Sequence, residues 1–306
     1  MLADKYHVIS TKQFFDHSIL ESLFALTNQV KSGKFVSRSE GKILATLFYE
    51  PSTRTRFSFE SAMMRLGGNV ISTEAAGHFS SVSKGESLED TIRVVSSYCD
   101  VIVLRHPEAG SAERAATVAT VPLINAGDGL GEHPTQALLD VYTISQYFPQ
   151  VNNLKIALVG DLLNGRTIHS LLYLLGLYKN ISFELVAPSK LQLPKQYKNY
   201  LASHNLKFRE LNSLDGLSRD IDVLYVTRVQ KERFADTAEY ETLKHYFIVD
   251  SKLANSLQKS AIIMHPLPRV GELLPEVDTN PRAKYFEQAA NGLFVRMALL
   301  DHLLSS

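Results

Sequence analysis

Six consecutive residues, Pro51-Ser52-Thr53-Arg54-Thr55-Arg56, crowd hydroxyl and guanidinium groups between an apolar run, Ile43 to Phe48, and a segment whose Phe57, Met63 and Leu66 suit one helix face until Gly67-Gly68. The pattern reads as strand, turn and helix. It sets side-chain donors at a helix N-terminus, where backbone N–H groups without helical partners and the positive end of the dipole favour an anion such as a phosphate. From these residues alone a plain helix cap with two surface arginines reads equally well, because Ser and Thr cap helices without any ligand.

Other arginines fall in comparable places. Arg105 ends the apolar run Val101 to Leu104, Arg228 ends Val223 to Val226, and Arg269 closely follows Ala261 to Met264. Arg166 comes after Lys155 to Gly160, within Asp161-Leu-Leu-Asn-Gly165-Arg166. In open α/β sheets ligands bind beyond the carboxyl ends of the strands, so with Arg54 these arginines predict a cleft for anionic ligands fed by both halves of the chain. Any one of them alone reads as a solvated loop residue. The nucleotide loop Gly-x-x-x-x-Gly-Lys-Ser/Thr, the Gly-x-Gly-x-x-Gly fingerprint and the His-Glu-x-x-His zinc helix do not occur, and Val159-Gly160-Asp161 is only a weak likeness of a dinucleotide turn. With neither a nucleophile elbow nor a cysteine beside an evident base, the expected chemistry is direct transfer between two bound substrates.

The elements that must carry these groups alternate. Ser18-Ile-Leu-Glu21 has capping-box spacing ahead of Leu23, Phe24, Leu26 and Val30. Val70-Ile71 reads as a short strand, Ser72 to Gly85 as a loop, and Leu88 to Tyr98 as a helix. A strand over Val121 to Ile124 leads to a helix opened by Pro134 and broken at Phe148-Pro149. Strands at 155–160, 183–187, 223–226, 247–249 and 261–264, a helix at 166–178 and a long C-terminal helix, Tyr285 to Leu304, complete the pattern. The expectation is an α/β chain of two domains, each with a central parallel sheet flanked by helices, divided near 150. Lys plus Arg and Asp plus Glu balance at 32 each, so no nucleic-acid or membrane partner is expected. A single cysteine, Cys99, excludes an intrachain disulfide and a zinc cluster. Met1 to Tyr6 show neither a secretory nor a transit composition, which predicts a cytoplasmic protein.

Phe48-Tyr-Glu-Pro-Ser-Thr-Arg-Thr-Arg56, His133-Pro-Thr-Gln136, Gly160-Asp161 through Gly165-Arg166-Thr-Ile-His-Ser170, Thr227-Arg-Val-Gln230 and His265-Pro-Leu-Pro-Arg269 together resemble the carbamoyltransferase family, in its order and over nearly the whole chain. His265-Pro-Leu-Pro268, where the ornithine branch typically has His-Cys-Leu-Pro, points to the aspartate branch, as do Ser80, Lys84 and Arg228-Val-Gln230.

The resemblance implies attack of the aspartate amine on carbamoyl phosphate, early in pyrimidine synthesis, without cofactor or metal. It implies a carbamoyl phosphate domain over 1–149, an aspartate domain over 150–284 and a C-terminal helix, 285–306, that returns to the first domain and packs across both. By the same resemblance Ser52, Thr53, Arg54, Thr55 and Arg105 hold the phosphate. Thr55, Arg105 and His133 polarise the carbamoyl oxygen, and Gln136 with the backbone at Pro266 and Leu267 orients the carbamoyl nitrogen. Lys84, Arg166, Arg228, Gln230 and Leu267 receive aspartate, with Ser80 and Lys84 supplied by the neighbouring subunit of a homotrimer. Separate regulatory chains stay open. Ser83 and Leu163 stand where many relatives have lysine, and Glu50 and Arg233 resemble residues that brace domain closure. The competing readings are an ornithine or other amino-acid carbamoyltransferase, and a catalytically silent paralogue serving as a binding partner.

Overall fold

The computed structural model describes residues 7–35, 39–74, 85–129, 131–231, 234, 236–243 and 246–305. The chain forms two compact units, residues 1–139 with 290–306, and residues 140–289. In the first, β1 (Ile43–Phe48), β2 (Asn69–Glu74), β3 (Val101–His106) and β4 (Leu123–Asp128) form an all-parallel sheet in the order β2-β1-β3-β4. Helices α1 (His17–Lys31), α2 (Thr53–Arg65), α3 (Leu88–Val95), α4 (Ser111–Ala116) and α5 (Pro134–Tyr147) accompany it. β1 and β3 are buried runs of Leu, Ile, Val and Phe, as strands covered on both faces must be. Ala45, Leu47, Ile102 and Leu104 pack with Leu88 and Ile92 of α3 and Ala115 of α4.

In the second unit β5 (Lys155–Val159), β6 (Ser182–Val186), β7 (Lys207–Leu211), β8 (Val223–Val226) and β9 (Ile262–Met264) give a parallel sheet ordered β7-β6-β5-β8-β9. Its helices are α6 (Arg166–Leu175), α7 (Lys195–Ser203), α8 (Thr237–Leu243) and α9 (Ser251–Ser256); α10 (Tyr285–Leu304) closes the chain. Both sheets reverse direction of travel once. From β1 the chain goes outward to β2 and then crosses to β3 and β4; from β5 it goes outward through β6 and β7 and then crosses to β8 and β9. The strand pairs β1/β3 and β5/β8 therefore flank the two topological switch points, the places where open α/β sheets receive ligands.

Several local expectations change. The first helix is capped by Asp16, whose carboxylate accepts from the Ser18 N–H, rather than by a box starting at Ser18. β2 is longer than Val70-Ile71 because its six residues all pair with β1. Val249 makes only an isolated bridge to Leu273, so 247–249 is not a strand. β7 was hidden by its charge: it is an edge strand whose Arg209 pairs with Glu184 of β6 at 2.8 Å. The compact units divide at 139/140 and 289/290, inside α5 and α10, whereas the sequence placed boundaries at 149/150 and 284/285. A helix that continues past one core contributes each end to a different unit, and no sequence punctuation marks that place. For α10, residues to Ala289 belong with the second unit and those from Ala290 with the first.

Candidate active site

In the first unit, register places the cradle beside Arg105. Phe48 pairs with Arg105 across β1 and β3, and the next residue, Tyr49, donates its N–H to the Arg105 carbonyl at 2.9 Å. Ser52 occupies the N-cap of α2 but makes no side-chain capping hydrogen bond, and its carbonyl accepts the first helical bond, from Arg56 at 3.0 Å. The N–H groups of residues 53 to 55 thus precede the helical ladder, which is the arrangement an anion completes. Thr55 is buried, while Thr53 and Arg54 face solvent. Arg56 is a brace rather than part of the cradle: it lies 3.0 Å from Glu74 and 3.9 Å from Glu60.

Arg105 is mostly buried, with its Nε 3.4 Å from Glu50 and Nη1 donating to the Ala126 carbonyl at 3.4 Å. Glu50 is thereby engaged beside the cradle. Its family-like partner Arg233, together with Ser80, Ser83 and Lys84, lies outside the described residues. His133 is buried at the start of α5, where its carbonyl accepts from Gln136 and Ala137 at 3.1 and 3.2 Å. The loop that delivers it is fixed by Asp128, whose carboxylate accepts from the N–H groups of Glu132 (2.9 Å) and Gly110 (3.0 Å).

Arg296, on α10, was not singled out in the sequence. It is 3% exposed, donates to Ser58 of α2 at 2.9 Å, lies 3.5 Å from the Thr135 hydroxyl of α5 and stacks on Phe59 at 5.0 Å. One guanidinium therefore ties the second turn of α2, which the cradle opens, to the first turn of α5, which carries Gln136. Gly292 makes room: a Cβ there would meet Arg296 Nη1 at 2.6 Å and Leu139 at 3.0 Å. An arginine within an apolar helical stripe reads as ordinary sequence, so only its burial reveals it.

In the second unit, β5 and β8 approach so closely at their carboxyl ends that a Cβ on Gly160, at φ 122, would lie 2.1 Å from the Thr227 carbonyl oxygen. Beyond Gly160 the turn into α6 winds around Asp161. This fully buried carboxylate accepts from the Asn164 backbone at 2.9 Å and its amide at 3.2 Å. Burial pushes the Asp161 carboxyl above its ordinary range against the pull of those hydrogen bonds. The Asn164 carbonyl then accepts from both the Arg166 N–H (2.9 Å) and the Gln230 side-chain amide (2.9 Å). Arg166 and Gln230 are thus held at one turn, and Arg228 is partly buried just after β8, the strand paired with β5. Leu163, where many relatives have lysine, is exposed.

Arg269 departs from the predicted set of anion-binding arginines: it forms a bidentate pair with Asp278, one bond of which is 2.8 Å, and stacks over Tyr285. Pro266 and Leu267 follow β9, with Leu267 at φ 54.

Each unit is thus a parallel α/β sheet with cationic and hydrogen-bond-donating side chains gathered at its switch point, a layout suited to an enzyme with anionic small-molecule substrates. Residues 6–146 match the description "Aspartate/ornithine carbamoyltransferase, carbamoyl-P binding domain", and residues 152–303 match "Aspartate/ornithine carbamoyltransferase, Asp/Orn binding domain". The chain belongs to the aspartate/ornithine carbamoyltransferase family. It is 52% identical to the chloroplastic aspartate carbamoyltransferase of Arabidopsis thaliana over 97% of this chain and 77% of that protein. It is likewise 52% identical to the aspartate carbamoyltransferase catalytic subunit of Methanocaldococcus jannaschii, over 97% of both chains. A crystal form of that archaeal catalytic subunit superposes with a TM-score of 0.90 at 51% identity, covering 98% of each chain. Aspartate transcarbamoylase from Trypanosoma cruzi, solved with carbamoyl phosphate and aspartate, gives 0.90 at 41% identity over 98% of this chain and 97% of that one.

Proposed function

We propose that this chain transfers the carbamoyl group of carbamoyl phosphate to the α-amino group of L-aspartate, giving N-carbamoyl-L-aspartate and phosphate in pyrimidine biosynthesis. The observation that carries the reading is the pairing of an uncapped helix N-terminus beside Arg105 with a separate Arg166, Arg228 and Gln230 cluster, in a chain whose aspartate carbamoyltransferase relatives match it nearly end to end. Ser52, Thr53, Arg54 and Thr55 with Arg105 receive the phosphate, through N–H groups, hydroxyls and charge-assisted bonds. Thr55, Arg105 and His133 stabilise the negative charge that develops on the carbamoyl oxygen as the amine attacks. Gln136 and the carbonyls at Pro266 and Leu267 orient the carbamoyl nitrogen. The new C–N bond forms, the C–O bond to phosphate breaks with its electron pair leaving on the phosphate, and the nitrogen sheds a proton. Arg166, Arg228 and Gln230 take the two carboxylates of aspartate, where guanidinium forks match carboxylate geometry better than an ammonium does.

Purified protein incubated with carbamoyl phosphate and either aspartate or ornithine decides the reading. N-carbamoyl-aspartate is the expected product, and turnover of ornithine alone would overturn it.

The resemblance also supports a homotrimer in which Ser80 and Lys84 complete a neighbour's site. Mixing Lys84→Ala chains with Arg54→Ala chains should restore part of the activity, because one hybrid interface carries both intact residues. Proven mixed trimers with no recovery would sink that arrangement. A cytoplasmic site of action stays our expectation, to be checked by cell fractionation, since several plant relatives are chloroplastic.

A further inference from the structure

The segment after β9 contains a backbone conformation that needs support. Leu267 sits at φ 54, in the left-handed region that residues bearing a Cβ seldom adopt and that persists only where the surroundings impose it. The support is visible. The Leu267 N–H donates to His265 Nδ1 at 2.8 Å. A ring nitrogen that accepts carries no proton, so in the neutral imidazole the proton sits on Nε2, 2.7 Å from a Glu272 oxygen. The other Glu272 oxygen accepts from the Val270 N–H at 3.0 Å. Both side chains are withdrawn from water, His265 at 1% and Glu272 at 5% exposed.

The histidine is anchored from its other side as well. Its backbone N–H donates to Gln288 Oε1 at 2.8 Å, Gln288 Nε2 donates to Asp140 at 2.6 Å, and the second Asp140 oxygen accepts from the Tyr225 hydroxyl of β8 at 2.7 Å. Every member of this chain is buried, and a fully satisfied buried network fixes a single geometry.

The Leu267 N–H and the Pro266 carbonyl belong to one planar peptide unit, and across a trans peptide they point in opposite directions. Fixing the N–H therefore aims the carbonyl. We propose that His265 is a positioning residue for the carbamoyl group: its Nδ1 holds the Pro266–Leu267 peptide so that the Pro266 carbonyl is aimed at the substrate nitrogen, and Glu272 fixes the tautomer that makes this possible. The inference rests on the proposed reading of Pro266 and Leu267 as contacts of that nitrogen.

Two substitutions separate the atoms involved. His265→Asn keeps an acceptor near the place of Nδ1 and gives up the reach to Glu272; His265→Gln keeps a group near the place of Nε2 and withdraws the acceptor from Leu267. With denaturation midpoints of the two variants matched, His265→Gln should show a carbamoyl phosphate KM at least about tenfold above that of His265→Asn. Their inhibition by inorganic phosphate should agree, because phosphate is held in the other unit. A difference below about threefold, or a phosphate inhibition constant that moves in step, overturns the positioning role. If His265→Gln does not fold, Glu272→Leu replaces it, since leucine leaves the Nε2–H without the acceptor that fixes the tautomer: a carbamoyl phosphate KM raised at least about threefold with unchanged phosphate inhibition supports the role, and an unchanged KM rejects it. Wild-type protein that makes no N-carbamoyl-aspartate would instead remove the functional reading, a result distinct from equal behaviour of the two His265 variants in an active background.

Discussion

The switch point between β1 and β3 is served by a helix N-terminus, its hydroxyls, Arg54 and Arg105, whereas the one between β5 and β8 is served by Arg166, Arg228 and Gln230 around a turn wound on Asp161. Chain order fixes the place in both sheets; the ligand determines the chemistry put there. A helix N-terminus offers diffuse attraction from backbone dipoles, which suits a phosphate that arrives attached and must leave alone. Guanidinium forks on residues beside a buried turn discriminate by shape, which suits an amino acid to be chosen among similar ones.

The division of labour can be broken from either side. Arg54 faces solvent in the free chain, so its effect depends on the charge pair it forms with bound substrate: Arg54→Ala should reduce kcat/KM by about thirtyfold to several thousandfold, as losing one partner of a pair buried on binding costs about 2–5 kcal/mol. Near-normal kcat/KM would remove the cradle. The next effect is on stability and belongs to the second unit. His169, stacked on Tyr197 at 4.0 Å with Nε2 2.9 Å from the Leu162 carbonyl, is lowered by burial from 6.5 to about 4. As pH falls the unfolded chain takes this proton first. The contribution is therefore complete above about 6.5 and is lost toward pH 4, by about 3 kcal/mol. His169→Gln should flatten urea midpoints over that window, and an unchanged slope would reject the assignment. Arg228→Ala should raise the aspartate KM about tenfold to a hundredfold, about 1.4–3 kcal/mol, with carbamoyl phosphate binding by calorimetry unaltered. Equal damage to both substrates would erase the contrast between the units. Smallest, Arg296→Met should lower stability by about 1–2 kcal/mol, by withdrawing hydrogen bonds while keeping apolar contact with Phe59; a denaturation midpoint equal to wild type would show that the tie between α2 and α5 is idle.

Legibility followed side-chain pattern. Long buried strands such as β1 and β3 were readable because both faces are covered, and α10 because buried apolar residues such as Val295, Met297, Leu299 and Leu303 crowd its second half. β7 was not, since an edge strand keeps charge on its surface and is recognised only by its pairing with β6. Among the residues proposed for the site, Arg54, Arg105, Arg166 and Arg228 stand out in the sequence by their position after strands. Arg269 had the same signal and a different employment, because Asp278, nine residues on, takes its fork and nothing in the spacing says so. Asp161, Glu272 and Arg296 act through burial and through partners distant in sequence, which a linear reading does not contain. Leu267, whose proposed contact is made by the main chain, was picked out only through the family-like run His265-Pro-Leu-Pro268.

Ser52 closes the N-terminus of α2 without lending it a hydroxyl acceptor. A helix finished by its ligand makes the surrounding buffer part of the measured fold. If phosphate binds there and not to the unfolded chain, raising it to a hundred times its dissociation constant adds about 2.7 kcal/mol to the unfolding free energy. Melting temperatures recorded in phosphate and in an amine buffer would then describe two different equilibria, and every variant's stability would have to be read against the anion in its solution.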